Sequence, residues 1–231
     1  MDDRPGRDLF PAGTVPRVGR LAVVPPIRHP LFDPKHPGRR PSPPAPRFPL
    51  SQLDENEQVV LVDEDGTPIG VAAKATVHGA HTPRHLAFSC YGFGVDGRLL
   101  VTRRADDKAT FPSVWTNTAC GHPAPGEAVP DAAARRLRFE LGVDPTDLRM
   151  VLPDFSYRAS DGTVEENELC PVLACRIDDD PQPRPDEVAQ WAWWTWAKFL
   201  AAAADPDSGL SPWARLQAPL LDAALYRAGD R

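Results

Sequence analysis

The segment Trp115–Pro123 holds the most reactive side chain that the sequence offers. Cys120 and His122 are two residues apart, so they lie on one face if the segment is extended. A thiol close to cations ionises to a thiolate, which is a good base or nucleophile. Gly121 between them would let the backbone approach a ligand closely. For Cys120 taken alone, the alternative of a buried structural cysteine beside a turn is favoured.

A pair of carboxylates forms the second candidate group. Glu166 and Glu168 are also two residues apart, so on a strand they point to one side and repel unless they share a cation or a proton. The sequence turns apolar directly afterwards, at 169–173, which predicts partial burial of the pair. We therefore expect metal ligation or proton transfer here.

Three histidines precede a predicted strand, and they form the third group. His78, His81 and His85 fall within eight residues, a density that indicates metal binding, although any one of them could be a surface residue. Together with His122 and the acid pair they supply enough ligands for one ion with five or six ligands. Mixed nitrogen and oxygen ligands suit Zn²⁺, Mn²⁺ or Mg²⁺.

The fourth group is cationic and is suited to binding phosphate. Arg–phosphate hydrogen bonds are short and charge-assisted, and several are needed to hold a diphosphate. Two alternatives stay open, a solvated run of charges and an ion pair between Arg136 and Glu140, which are four residues apart on a helix. The candidate residues are Lys74, Arg103, Arg104, Lys108 and Arg136.

The elements that must position these groups alternate between strands and helices without regular βαβ order. Apolar runs and turn residues predict strands at 59–62, 69–73, 86–93, 99–102, 168–176 and 191–196. The clearest helix runs from Asp131, a predicted N-cap, to Leu141 before Gly142, and further helices are predicted at 197–204 and 213–227. The sequence thus predicts an α+β fold, a mixed sheet flanked by helices.

Composition excludes several classes of function. With 26 basic and 32 acidic residues the net charge is −6, so we expect no general attraction to nucleic acid or to an anionic membrane. No segment approaches the roughly 20 apolar residues of a membrane span. Four sparse, unpatterned cysteines argue against a disulfide scaffold and predict a reducing, cytoplasmic location.

The first 57 residues differ from the rest of the chain. Residues 1–50 hold 13 of the 28 prolines and nine Lys or Arg against four Asp or Glu, which predicts a disordered extension. A solvated tail is favoured over a basic docking arm. We expect residues 58–231 to form the folded domain.

Read together, these segments resemble the type I isopentenyl-diphosphate isomerases, which have a Nudix-like fold. The resemblance runs in order from about Gln58 to about Leu221, and the proline-rich extension has no counterpart in that family. Each matching piece is weak alone, but the set in register is specific. The pieces are His85–Ser89, Leu100–Ala105, Trp115–Pro123, Arg135–Arg136, Glu140–Val143, Pro153–Arg158, Glu166–Pro171 and Ser211–Trp213.

The resemblance implies a catalytic pair on opposite faces of an isoprenoid substrate. Glu168, assisted by Tyr157, would protonate the alkene, and Cys120 would remove a proton on the far side. The tertiary cation formed between these steps needs an electron-rich wall, which the family supplies with a tryptophan, here Trp213. An indole face stabilises a cation by about 2 kcal/mol when water is excluded.

The resemblance also implies the metals and the substrate contacts. One Zn²⁺, Mn²⁺ or Mg²⁺ would bind to the set His78, His85, His122, Glu166 and Glu168. A Mg²⁺ held by Glu140, the Cys120 carbonyl and the diphosphate would neutralise charge. The diphosphate contacts would be Lys74, Arg104, Lys108 and Arg136. His81 stands where the family commonly has an acid and is not counted. The expected partner is the small molecule isopentenyl diphosphate, and the expected state is a monomer.

The nearest alternative is a Nudix pyrophosphohydrolase. Gly121, Glu127 and Arg135 fit the hydrolase signature, but Arg136 and Phe139 replace two of its glutamates. Those carboxylates gather the metals that activate water, so their loss argues against hydrolysis. A second alternative, a binding protein without catalysis, would be expected to lack Cys120 or Glu168.

Overall fold

The computed structural model describes residues 57–229, which form two β-sheets and four helices. The predicted disordered extension lies outside these residues, apart from Glu57. In the described range, no helix is both long and apolar enough to cross a membrane. The elements are β1 Gln58–Val62, β2 Pro68–Ala73, α1 Lys74–Val77, β3 His85–Leu86, β4 Phe88–Phe93, β5 Leu99–Arg104, β6 Trp115–Thr116, β7 Ala119–Gly121, α2 Val129–Leu141, β8 Thr146–Leu152, β9 Ser156–Ser160, β10 Glu165–Leu169, β11 Val172–Arg176, β12 Val188–Trp194, α3 Trp196–Ala204 and α4 Pro212–Gly229.

The larger sheet forms the centre of the domain. Its strand order is β12-β5-β4-β11-β8, and the short strands β6 and β7 pair with β5 and β4. β4 and β11 run parallel, while the other pairs in this sheet are antiparallel. The smaller sheet has the order β2-β1-β3-β10-β9. The predicted α+β fold, with mixed sheets flanked by helices, is confirmed.

Two parallel chain segments pass from the smaller sheet to the larger one. β3 leads into β4 and β10 leads into β11, with breaks at Ala87 and at Cys170–Pro171. The predicted single strands 86–93 and 168–176 were therefore wrong at these points. Pro171 has no N–H to continue a ladder. The Cys170 N–H instead donates to the Phe155 carbonyl at 2.8 Å, and the Ala87 N–H donates to the Leu169 carbonyl at 2.8 Å.

Helices cover both faces of the larger sheet, so its central strands are buried on both sides. Even-numbered residues of β4, such as Phe88 and Cys90, pack with Leu137 and Leu141 of α2. Odd-numbered residues, such as Tyr91 and Phe93, pack on the other side with α3 and α4. The alternation of side chains along β4 thus divides the core into two layers.

The clearest predicted helix is confirmed, but its start is corrected. α2 begins at Val129 with Ala128 as its N-cap, so Asp131 is an acid in the first turn and not the cap. Pro130 is tolerated there because the first-turn N–H groups have no partner within a helix. Gly142 ends the helix in the left-handed region, with φ 66°, and its N–H donates to the Arg138 carbonyl.

The remaining differences lie at element ends and in strands of weak pattern. Trp196 begins α3 and does not end a strand, because the Thr195 hydroxyl accepts the Lys198 N–H at 3.2 Å and caps the helix. The strands β8 and β9 were not predicted. Most side chains of β8 are exposed, and β9 has only two half-buried side chains, Tyr157 and Ala159, which alternate with exposed ones over five residues.

Candidate active site

Three histidines and two glutamates meet where the two sheets join, and we call them the histidine–glutamate cluster: His78, His85, His122, Glu166 and Glu168. The ligand atoms of four of them, all except Glu166, lie within 4.8 Å of one another. Parallel pairing of β10 with β3 sets Glu168 beside His85, and the Nε2 atoms of His85 and His122 are 3.2 Å apart. Glu168 Oε1 lies 3.3 Å from His122 Nε2 and 3.6 Å from His85 Nε2.

The hydrogen bonding of this cluster is incomplete without a cation. His78 Nε2 and Glu166 Oε2 are 3.2 Å apart, yet each is buried without a hydrogen-bond partner, as is Nδ1 of His122. Unpartnered buried polar atoms are costly, so several at one place indicate a ligand. His85 Nδ1 is 2.9 Å from the Pro83 carbonyl, which orients the ring with Nε2 towards the cluster. These residues fit a divalent metal ion.

The charges of the cluster also suit a cation. Burial lowers the pKa of His122 to about 4 against the opposing effect of Glu168, so the ring is neutral near pH 7. Burial alone would raise the pKa of Glu168, but hydrogen bonds from His122 and His85 hold it well below its usual range. Glu168 is therefore an ionised carboxylate beside the neutral imidazole of His122, which is the form that binds metal. At His85 the effect of burial is outweighed by Glu168, which raises the pKa of that ring.

Cys120 lies close to this cluster, on β7. The antiparallel register sets it opposite Ser89, whose Oγ is 3.5 Å from the Cys120 sulfur. The thiol donates to Asn117 Oδ1 at 3.2 Å. Burial raises the pKa of Cys120 to about 11, although these hydrogen bonds and Arg104 oppose the shift. The residues alone therefore keep a neutral thiol, which differs from the expected ease of forming a thiolate.

Trp213 and Tyr157 lie beside the thiol, and we call these two side chains the aromatic wall. Trp213, near the start of α4, is 3 % exposed, and its Nε1 donates to Asn117 Oδ1 at 3.1 Å. The ring of Tyr157 lies 5.9 Å from the indole, centroid to centroid, and the Arg104 guanidinium lies 5.8 Å from it. β9 pairs Tyr157 with Glu168. The expected catalytic set is thus gathered at one place, Tyr157 included.

Three of the four expected phosphate-binding cations belong to a second group, the ion-pair cluster: Glu57, Lys74, Lys108, Arg136, Glu140 and Glu187. Arg136 Nε is 2.8 Å from Glu140 Oε1, and its Nη2 is 3.1 Å from Glu187 Oε2. Lys108 pairs with Glu187, and Lys74 pairs with Glu57. Arg136 is buried and forms the ion pair with Glu140 that was one alternative for it, so the other alternative, a solvated charge, is wrong for this residue.

Arg104, the fourth cation, and Gly121 make contacts that the sequence did not predict. Arg104 donates to the carbonyls of Phe111 and Thr110, at 3.1 and 2.9 Å. A Cβ on Gly121 would meet Arg136 Cγ at 3.1 Å and the Phe88 ring at 3.2 Å. The close approach that Gly121 permits is therefore to a side chain of α2 and to β4, whereas we expected an approach to a ligand.

Some residues of the site were missed from the sequence, and one uncounted histidine lies outside it. Glu57 and Glu187 were not predicted, and neither was the role of Asn117, although Asn117 lies inside the motif that contains Cys120. Glu187 is 79 residues from its partner Lys108, so no local pattern could link them. His81, which was not counted as a ligand, is exposed.

The fold and the site define a Nudix-domain protein. Residues 83–214 match the NUDIX domain family model, which is more than half of the chain. The crystal structure of DR0079 from Deinococcus radiodurans superimposes with a TM-score of 0.56 at 21 % identity, covering 73 % of this chain and 99 % of that one. At this identity the likeness shows the fold alone.

Sequence relatives give the family within that class. An isopentenyl-diphosphate Delta-isomerase of Mycolicibacterium vanbaalenii is 58 % identical over 177 residues, 76 % of this chain and 97 % of the relative. One of Saccharopolyspora erythraea is 55 % identical over 162 residues, 70 % of this chain and 84 % of the relative. The chain belongs to the isopentenyl-diphosphate Delta-isomerase family.

Proposed function

We propose that this protein interconverts isopentenyl diphosphate and dimethylallyl diphosphate, with Cys120 and Glu168 as the two proton-transfer groups. The reaction adds one proton to the alkene and removes another from the neighbouring carbon, through a tertiary cation. A thiol and a carboxylate that share one proton match this balance. The single observation that carries the proposal is their convergence, with Trp213 and Tyr157, at the join of the two sheets.

The pKa directions support one proton between the two groups. Cys120 holds its proton because burial raises its pKa to about 11, while His122 and His85 keep Glu168 ionised in spite of its burial. Because the reaction is reversible, each group must give a proton in one direction and take it in the other. The role expected for Glu168, protonating the alkene with help from Tyr157, requires the shared proton to move from the thiol to the carboxylate first, which leaves Cys120 as the thiolate that removes the second proton.

The aromatic wall has two tasks in this proposal. The ring of Trp213 offers its face to the tertiary cation, an interaction worth about 2 kcal/mol in a dry site. Its burial, with the rings of Phe111 at 5.3 Å and Tyr157 at 5.9 Å, also excludes water that would trap the cation as an alcohol.

A divalent cation completes the histidine–glutamate cluster. The candidate ligands are His78, His85, His122, Glu166 and Glu168, and their mixed nitrogen and oxygen atoms suit Zn²⁺, Mn²⁺ or Mg²⁺. A bound ion would supply positive charge beside the carboxylate of Glu168. Nε2 of His85 and Nε2 of His122 already lie 3.6 and 3.3 Å from the same carboxylate oxygen, so the three side chains face one centre.

The ion-pair cluster is the proposed diphosphate site. Lys74, Lys108 and Arg136, with Arg104 nearby, supply the cations, but carboxylates already neutralise three of them. A diphosphate that takes these cations leaves Glu140 and Glu187 without a counter-ion. Mg²⁺ bound by Glu140, the Cys120 carbonyl and the diphosphate would restore the balance, so we expect the substrate to bind as its Mg²⁺ complex.

Hydrolysis of a diphosphate is the alternative within the same fold. The carboxylate set that a Nudix hydrolase uses is broken here by Arg136 and Phe139. Arg136 is buried and paired with Glu140, so it occupies space where the hydrolase has a further acid.

The test is proton NMR of isopentenyl diphosphate incubated with the full chain and Mg²⁺ in D₂O. We expect dimethylallyl diphosphate carrying deuterium from the solvent, because the added proton comes from an exchangeable group. Release of free phosphate with no change in the double bond would identify the hydrolase and contradict the proposal.

A further inference from the structure

The side chain of Asn117 lies between two residues of the proposed catalytic set and is fully buried. Its Oδ1 accepts the indole N–H of Trp213 at 3.1 Å and the thiol of Cys120 at 3.2 Å. The hydroxyl of Thr116 also donates to the same oxygen, at 2.8 Å. One amide oxygen therefore joins the aromatic wall on α4 to the thiol on β7.

The orientation of this amide is fixed by its other end. Nδ2 donates to the Cys90 carbonyl at 3.0 Å and to the Ala119 carbonyl at 2.9 Å, which uses both of its N–H groups. A flipped amide would set Oδ1 against two carbonyl oxygens and leave the indole N–H facing a donor. The acceptor must consequently face the thiol and the indole.

The number of lone pairs makes the link specific. An amide oxygen has two acceptor sites, and an indole N–H can only donate, so Trp213 requires one of them. Thr116 also donates to this oxygen at 2.8 Å, but its hydroxyl has another acceptor within reach, Ser211 Oγ at 2.9 Å, and can leave the second site to the Cys120 thiol. Loss of Asn117 Oδ1 would strand the buried indole N–H and free the thiol to rotate.

We propose that Asn117 is a positioning residue of the isomerase reaction, whose amide oxygen fixes the Cys120 thiol and the Trp213 indole relative to each other beside the isoprenoid. This inference rests on the proposed function and deepens it. Donation of the indole N–H also adds electron density to the ring, which strengthens the attraction of its face for a cation. The effect of Asn117 is therefore expected in the chemical step rather than in binding.

The test compares Asn117→Ala with a matched neighbour in the full-length, metal-loaded chain, using isopentenyl diphosphate. We expect kcat to fall about 100-fold while KM stays within about threefold, since the hydrogen bonds of the Asn117 side chain go to Thr116, Cys90, Ala119, Cys120 and Trp213 and to none of the ion-pair cluster. Metal content should equal that of the parent. The matched variant is Thr118→Val, which is equally buried and bonds only backbone, the Leu100 carbonyl at 2.6 Å and the Gly92 N–H at 2.7 Å.

Thr118→Val should lower the melting temperature but keep kcat within about threefold. An equal fall of kcat in both variants, or an unchanged kcat in Asn117→Ala, would overturn the positioning role. If Asn117→Ala does not fold, Asn117→Ser serves instead, because its shorter hydroxyl cannot reach both donors. Failure of the proposed function would appear as an inactive parent chain, whereas failure of the positioning role would appear only in the variants of an active parent.

A second measurement links Asn117 to Trp213 directly. Trp213→Phe removes the N–H donor and keeps an aromatic ring. Because both variants break the same hydrogen bond, Asn117→Ala combined with Trp213→Phe should lose less activity than the product of the two single losses. Losses that multiply in full would overturn the link.

Discussion

The two polar regions of the site differ in how their charges are balanced. The histidine–glutamate cluster contains three buried atoms without a hydrogen-bond partner, on His78, His122 and Glu166. In the ion-pair cluster each of the three cations has a carboxylate partner. Arg136 has two, the carboxylates of Glu140 and Glu187, both within 3.1 Å. The first region is incomplete without a ligand, whereas the second is neutral and closed on its own.

The two clusters should therefore respond to different ligands. An incomplete set of ligands gains most from a bare cation, which supplies the missing partner of the unpaired atoms on His78 and Glu166. A closed set must exchange partners, and a diphosphate alone would leave carboxylates unpaired. Substitutions in the first cluster should therefore act on metal content and turnover, and those in the second on stability and on binding of the Mg²⁺ complex.

The largest effect is expected for Glu166→Gln in the histidine–glutamate cluster. The change keeps the size of the side chain but removes a charge and a ligand, so we expect metal content to fall and turnover to drop about 1,000-fold. Circular dichroism should show an intact fold. The measurements are metal analysis and kcat.

Glu165→Gln is the matched control, one residue earlier on β10 and on its other face. Glu165 lies 3.8 Å from Arg158, whose side chain is exposed. We expect parental metal content and turnover for this variant. If Glu166→Gln retained the parental metal content, Glu166 would not be a ligand, and its unpaired oxygen would not be evidence for a cation in this cluster.

The next effect is expected in the ion-pair cluster, on stability. Arg136→Met leaves the buried carboxylates of Glu140 and Glu187 facing each other without their guanidinium. Breaking a buried ion pair by removing one partner costs about 3 to 5 kcal/mol. Urea unfolding should show this loss. Arg135→Met, the neighbouring residue on α2, pairs with Glu127 nearer the surface and should lose about 1 kcal/mol or less. Equal losses would remove the contrast between a buried and a surface pair.

A smaller effect is expected when Mg²⁺ and inorganic diphosphate are added to the metal-loaded chain. Together, at about 100-fold above their dissociation constant, they should stabilise the fold by about 2.7 kcal/mol, because only the pair can exchange partners with the closed cluster. Thermal unfolding with both ligands, and with each alone, measures this. Full stabilisation by diphosphate alone would contradict the closed character of the cluster.

The smallest effect on stability is expected for Glu127, which pairs with Arg135 outside both clusters. Hydrogen bonds from Arg135, with one from the Ala124 N–H, lower the pKa of Glu127 below 4.5 against partial burial. A lowered pKa in the folded state contributes stability that is present above pH 4.5 and lost as the pH falls through the folded-state pKa. Glu127→Gln should cost about 0.5 to 1 kcal/mol at pH 7 and almost nothing at pH 2. A difference that persists at pH 2 would assign the loss to packing.

The comparison also separates what the sequence could and could not predict. The histidine–glutamate cluster was predictable, because the spacing of Glu166 and Glu168 places both on one face of a strand. Closure of the ion-pair cluster was not, since Glu187 meets Lys108 across 79 residues and only the fold brings them together. The link from Asn117 to Trp213 spans 96 residues and was missed for the same reason.

The fold shows the same division between local and non-local information. Gly142 ends α2 through its own backbone conformation, and the sequence predicted that end. The break of one predicted strand at Pro171 carried a local signal, the missing N–H, but the transfer of the chain between two sheets follows from pairing with β3 and β4. β8 depends on its partner strand and has no regular alternation, and β9 shows only a short one, at Tyr157 and Ala159.

In the proposed reaction Cys120 exchanges a proton with the substrate, and kcat of Cys120→Ser is the measurement that decides this claim. Serine has almost the same shape but a far higher pKa, so metal content and KM should match the parent while kcat falls far below a tenth. Cys175→Ser, a fully buried thiol outside the site, should keep kcat within about threefold. Retention of more than about a tenth of the parental kcat by Cys120→Ser, a barrier change under ~1.4 kcal/mol, would contradict the claim.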